Sequence, residues 1–228
     1  IWDDTLQALG QWPIGRDFHA GMIEILSRSG VKSIVFDIEF VEAGDKDHTV
    51  IEAAKAAGNV FFAYGFTAPI LFPTGYIANG LQAPVLKSYE EVAKGVGFVN
   101  TQVDRDGKWR RIIPAIQFNN EIYYQLAIRV AMDYLGTTPE QAIYKPFQYL
   151  ELKPGYRIPL DAQNCLVISY AGLWREAFKH YSYKDILVSY GQMSSGEKPL
   201  INLSDLRGKI CLIGLTAQGT HDMKPTPL

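Results

Sequence analysis

"VKSIVFDIEF", residues 31–40, is an apolar run that ends among acids: Asp37 and Glu39 lie inside it, and Glu42, Asp45, Asp47 and then His48 follow. Read as a strand, its side chains alternate in direction, so Asp37 and Glu39 share one face while Phe36, Ile38 and Phe40 share the other. Just upstream, residues 13–30 space Phe18, Met22, Ile23, Ile25 and Leu26 close to a helical period, and Gly30 supplies a stop. Just downstream, "DHTVIEAAKAAG" (47–58) predicts a second helix with Val50, Ile51, Ala54 and Ala57 on its apolar face. Asp45 or Asp47 can cap that helix, or Thr49 with Glu52 can form a capping box. "NVFFAYGF" (59–66) is a second apolar strand. Two strands joined by one helix make a βαβ unit, hence a parallel pair in a sheet covered by helices.

Working outward, residues 67–94 hold Pro69, Pro73 and Pro84 among Phe72, Tyr76 and Tyr89, which predicts a long packed excursion, not a linker. Residues 95–118 read as two strands around Asp106-Gly107, a hairpin signal. The same segment has a faint likeness to a calcium loop through Asp104, Asp106 and Gly107, but Lys108, Arg110 and Arg111 stand where ligands are required. "EIYYQLAIRVAMDYLG" (121–136) predicts an amphipathic helix, and Thr138-Pro139 starts a short one. Short strands near 147–152 and 165–170, a helix around 183–190 and a strand in "KICLIGL" complete the reading. The expected fold is α/β: a single domain over residues 1–228 with a mixed, partly parallel sheet, helices on both faces and a β-hairpin in the middle of the chain.

Composition narrows the function. Apolar residues make up 47% and charged residues 20% of the chain, which is the balance of a folded globular protein and not of a disordered one. A net charge of -2 with scattered basic residues excludes a nucleic-acid surface. No window of 18 apolar residues is present and no signal peptide is visible. The chain opens on Ile1 and stops at "KPTPL", which reads as a piece of a longer protein. Cys165 and Cys211 are too few for a disulfide framework and read as buried free thiols in interior strands, bridged only if those strands are neighbours.

No complete catalytic constellation is present. "GLTAQG" lacks the lysine of a P-loop and the three glycines of a dinucleotide turn, and there is neither a G-x-S-x-G elbow nor an H-E-x-x-H pair. His19, His48, His180 and His221 are far apart and read as surface or structural histidines. The acids after the first strand keep three readings. They can hold the architecture, with Asp37 bonded to backbone amides or to Arg16. They can bind a ligand, since parallel strands present ligands at their carboxyl ends. Or Asp37 and Glu39 can hold a divalent metal or act as an acid/base pair in a hydrolytic enzyme, with His221 or Asp222 completing the set.

Three segments together resemble the CHASE type-two family, a cyclase/histidine-kinase-associated sensory module. They are the opening run from Asp3-Asp4 through Trp12-Pro13-Ile14-Gly15-Arg16 to Phe36–Phe40, the central "GFVNTQVDRDGKWRRIIP", and the closing "CLIGLTAQGTHDMKPTP" with Asp222, Thr226 and Pro227. The resemblance implies an extracytoplasmic sensor, with no catalytic residue, metal or cofactor of its own. It would be held to the membrane by flanking helices, with an apolar strand before Ile1 and a further helix after Leu228. The implied partners are a small-molecule or protein stimulus and a second copy of the chain. The implied output is a cytoplasmic nucleotide cyclase, diguanylate cyclase or protein kinase. Arg16, Asp37, Glu39 and Asp222 are the candidate ligand-binding residues, expected to gather near one edge of the sheet.

Overall fold

The computed structural model describes residues 1–217 and 226. Helices α1 (Asp3–Leu9) and α2 (Arg16–Arg28) precede β1 (Ser33–Glu39), and α3 (Asp47–Ala57) leads to β2 (Val60–Phe66). The proline-rich excursion folds as β3 (Ile70–Phe72), β4 (Gly75–Ile77), β5 (Leu81–Ala83) and the one-turn helix α4 (Lys87–Glu90). Then come β6 (Gly95–Phe98), β7 (Thr101–Gln102), β8 (Arg111–Ile112), β9 (Ala115–Phe118), β10 (Glu121–Tyr124) and α5 (Leu126–Leu135). The last part contributes β11 (Ile143–Lys145), β12 (Tyr149–Lys153), β13 (Tyr156–Pro159) and β14 (Leu166–Val167). Helices α6 (Trp174–Ala177) and α7 (Tyr183–Ser194) then lead to β15 (Ile210–Gly214). Among the described residues, no helix is long and apolar enough to cross a membrane.

The centre is a parallel sheet in which β1 lies between β15 and β2, and β2 also pairs with β6; β5 joins β2 antiparallel, which makes the sheet mixed. Every residue of β2 is buried, as a strand covered on both faces must be. One face carries Ile34, Phe36 and Ile38 of β1, with Phe40 just past it and Phe62 of β2, packed against side chains of α2, α3 and α7. The other carries Val35, Phe61 and Ala63 against Leu126 and Val130 of α5. Helices therefore cover both faces, as the sequence predicts. The approach of α5 needs Gly97: a β-carbon there would sit 2.4 Å from the Leu126 Cα.

Aromatic side chains fill the core of the first face. Phe36 stacks on Phe62 at 5.6 Å, and Phe40 stacks on Tyr89 of α4 at 5.0 Å. Each ring is fully buried, which contributes about 1.5–3 kcal/mol apiece from area alone. Smaller sheets surround this core: β10-β9-β4-β3, β11-β12-β13 and β14-β8-β7.

Two expectations are corrected. Residues 121–124 form strand β10, not the first turn of a helix; β10 pairs antiparallel with β9 through Asn119-Asn120, both at positive φ. That conformation is the one a tight hairpin demands, and asparagine tolerates it. The helix begins only at Leu126, where the Gln125 side chain accepts the Ala127 N–H. The second correction concerns Cys211. Its strand, β15, has β1 as its one strand neighbour among the described residues, and Leu212 beside it is 75% exposed. Cys165, buried, lies just before β14, an edge strand of a different sheet, so neither thiol is in an interior strand, yet both are free, as expected, and burial pushes both up to about 11.

His19 is the buried titratable group of this core, with Phe36, Phe40 and Tyr183 rings edge-on at 5.5–5.9 Å. The Tyr183 hydroxyl donates its proton to the Phe18 carbonyl, so His19 Nδ1, 3.0 Å away, donates to the Tyr183 oxygen. Burial, with the Arg16 charge as a lesser cause, lowers His19 from 6.5 to about 4. The folded state thus refuses a proton that the unfolded chain accepts. Its stabilisation is complete above pH 6.5 and is lost as pH falls toward about 4. The full loss is roughly 3 kcal/mol. Urea unfolding of the wild type should show this fall between neutral and mildly acidic pH, and His19→Phe should flatten it. Parallel pH curves for the two proteins would show that the imidazole is not held neutral.

Candidate functional site

The carboxyl end of β1 is where the sheet ladder becomes irregular. Toward β15 the register runs without a break from Ser33↔Ile210 to Asp37↔Gly214. Toward β2 it runs Ile34↔Val60, Val35↔Phe61 and Phe36↔Phe62, then jumps to Glu39↔Ala63. Asp37 and Ile38 therefore form a bulge against β2 only, and bulges re-aim the side chains at a strand's end. Asp37 and Glu39 are exposed and Ile38 is buried, so the alternation expected from the sequence survives the bulge.

Glycines frame the two acids. A β-carbon at Gly65 of β2 would lie 3.0 Å from Glu39 Oε1, so the carboxylate occupies the space that a side chain there would fill. Gly214 stands opposite Asp37 on the other side. Beyond Gly65, the Asn100 amide accepts the Phe66 N–H and donates to the Phe66 carbonyl, both at 2.8 Å. That side chain does the work of a strand and pins the exits of β2 and β6 together. Two carboxylates on one face, with little bulk on either side, can accept hydrogen bonds from amines or hydroxyls, or offset a positive charge.

Arg16 belongs to the opposite face. From the first turn of α2 its guanidinium lies over the Phe40 ring, 4.5 Å from the centroid. Its Nε donates to Asp47 Oδ1 at 2.9 Å and its Nη2 to the Glu42 carbonyl at 3.1 Å. Phe40 has the parity opposite to Asp37 and Glu39, so the sheet stands between Arg16 and those acids, and Arg16 goes to Asp47 instead of Asp37. Of the four candidates, Asp37 and Glu39 share a face and Arg16 lies behind it. Asp222, like His221, falls outside the described residues. Among the described residues, no group of three or more His, Cys, Asp or Glu side chains is placed to hold a metal ion.

Asp47 is the residue that sequence reasoning undervalued. It opens α3, yet instead of capping it takes the Gly44 N–H at 2.7 Å on Oδ2, and Arg16 and the Tyr89 hydroxyl on Oδ1. Burial raises its carboxyl, but the Tyr89, Gly44 and Arg16 hydrogen bonds more than reverse this and leave it below the usual carboxylate value. Burial, then the bond to Asp47, pushes Tyr89 up. Nearby, Lys46 Nζ meets Asp17 at 2.8 Å. The signal was faint: Tyr89 lies in an aperiodic stretch, and an acid at a helix start has a simpler local use.

A second polar cluster is architectural. In the β7–β8 hairpin, Arg110 binds Asp104 and Asp106, and Arg111 binds Asp104 and Asp161. Arginines thus occupy the oxygens that a calcium loop would need. Behind them Tyr76 donates to Gln102, and Asn164 joins Tyr144 to the Phe147 N–H.

A family model described as CHASE2 domain matches residues 1–228, the whole chain. No curated protein matches the chain, and no solved structure does.

Removing Asp47 should cost more than removing either partner. Asp47→Ala strands a guanidinium that is only 17% exposed and leaves a buried tyrosine hydroxyl unsatisfied, an expected loss of about 3 kcal/mol. Tyr89→Phe deletes one hydrogen bond and should cost about 1 kcal/mol. Urea midpoints at constant slope measure both. Equal losses for the two variants would mean that Arg16 does not depend on Asp47.

Proposed function

The chain belongs to the CHASE2 family, and on that premise we propose that it is the stimulus-reading part of a membrane receptor. CHASE2 domains are extracellular sensory domains of signalling receptors, so the work of this domain is recognition and not turnover. A small molecule or protein on the extracytoplasmic side binds one arrangement of the domain better than another and shifts their populations. The output is a cytoplasmic nucleotide cyclase, diguanylate cyclase or protein kinase, reached through membrane helices that flank the domain. A tenfold change in output needs a difference in binding of only about 1.4 kcal/mol.

The observation that supports this site is the pair of exposed carboxylates on one face at the carboxyl end of a parallel strand, the position where open α/β sheets receive ligands. Asp37 and Glu39 contact the ligand in this reading. Arg16 serves from behind by fixing the β1–α3 loop to Asp47. A bulge at Asp37-Ile38 lets the acids shift without unzipping β1 from β15.

Thermal unfolding of the purified chain against a panel of amines, polyols and sugars tests the reading. A ligand at a hundredfold excess over its Kd adds about 2.7 kcal/mol and raises the melting temperature by several degrees. The rise should vanish in Asp37→Asn and shrink in Glu39→Gln, with far-ultraviolet circular dichroism unchanged. A ligand that stabilises all three proteins equally would move the site elsewhere.

A further inference from the structure

Strand β3 is an outer strand whose three residues are all apolar and all exposed: Ile70 by 53%, Leu71 by 38% and Phe72 by 43%. Neighbouring side chains on a strand point to opposite sides, so Leu71 faces one way and Ile70 and Phe72 the other. A protein partner laid on one face of the sheet would cover one of these sets and leave the other wet. An apolar medium that surrounds the strand covers both.

Two independent features choose between a lipid and a second strand. Residues 56–86 contain no Asp, Glu, Lys, Arg or His, so taking this tip out of water strips no ionised group of its hydration. Pro69 and Pro73 bracket β3, and among the described residues β3 pairs only with β4. Prolines withhold N–H groups from the open edge, a device that discourages another chain from extending the sheet.

We propose that the β3–β4 tip, Ile70 to Pro73, inserts into the headgroup–acyl boundary of a phospholipid bilayer. A three-residue strand is about 10 Å long, and interfacial elements bury about 5–10 Å deep. At this boundary, unlike the hydrocarbon core, water still reaches the open backbone edge of β3, so its unpaired groups keep a partner. This contact uses neither Asp37 nor Glu39 and would orient the domain on the membrane it serves.

Flotation of the 228-residue chain with vesicles of pure phosphatidylcholine, and of phosphatidylcholine mixed with phosphatidylglycerol, tests the proposal. The chain should float with both, equally at low and high salt, because no charge takes part. Ile70→Ser with Phe72→Ser should lower the partition about tenfold or more, and Leu71→Ser alone should lower it as well, because lipid wets both sides of the strand. All these positions are exposed, so the melting temperature should hold. Failure to float, equal flotation of native and variants, or flotation only with the anionic vesicles and only at low salt would overturn the proposal. So would self-association that the variants abolish, which would assign the tip to a second copy of the chain.

Discussion

Phe40, the first residue past β1, is held from two directions by groups that then meet on one atom. Its ring stacks on Tyr89 and lies under Arg16, and both Tyr89 and Arg16 donate to Oδ1 of Asp47. Three segments remote in sequence, the start of α2, the β1–α3 loop and α4, are tied at this point. The aromatic contacts supply area and the carboxylate supplies direction: without Asp47 the guanidinium and the phenol have no common acceptor. The loop that leaves the central strand therefore has one place to go.

That constraint also decides what faces outward. With Ile38 and Phe40 committed to the helical layer, strand alternation sends Asp37 and Glu39 to the other face. Ile38 between the two acids and Phe40 beyond them are anchored in the core behind the sheet.

Much of this was legible in the sequence, for identifiable reasons. The unit from residue 16 to residue 66 carries its signal locally, in the helical spacing of α2 and α3 and in the apolar runs of β1 and β2. The hairpin at Asn119-Asn120 was not legible because the residues after it also fit a helical period and the turn lacks glycine. Gly97 of β6 reads only as part of a strand; its use, to admit the backbone of α5 at Leu126, depends on a contact about 30 residues away. Arg16 and Asp47 both stand out in the sequence, but nothing in it pairs them. Any of several acids could have answered the arginine, and only the positions of Phe40 and Tyr89 in space choose among them.

The first residue of the chain shares in this geometry. Ile1 donates its backbone nitrogen proton to the Gly214 carbonyl and accepts the Thr216 N–H, the two bonds of a parallel bridge beside β15. Gly214 is in turn the cross-strand neighbour of Asp37. A tug on Ile1 is thus delivered, across two strand spacings of roughly 10 Å in all, to the backbone that carries the first of the outward acids. Ile1, Gly214 and Asp37 therefore share one rung of the sheet, and a displacement at one end of it is felt at the other.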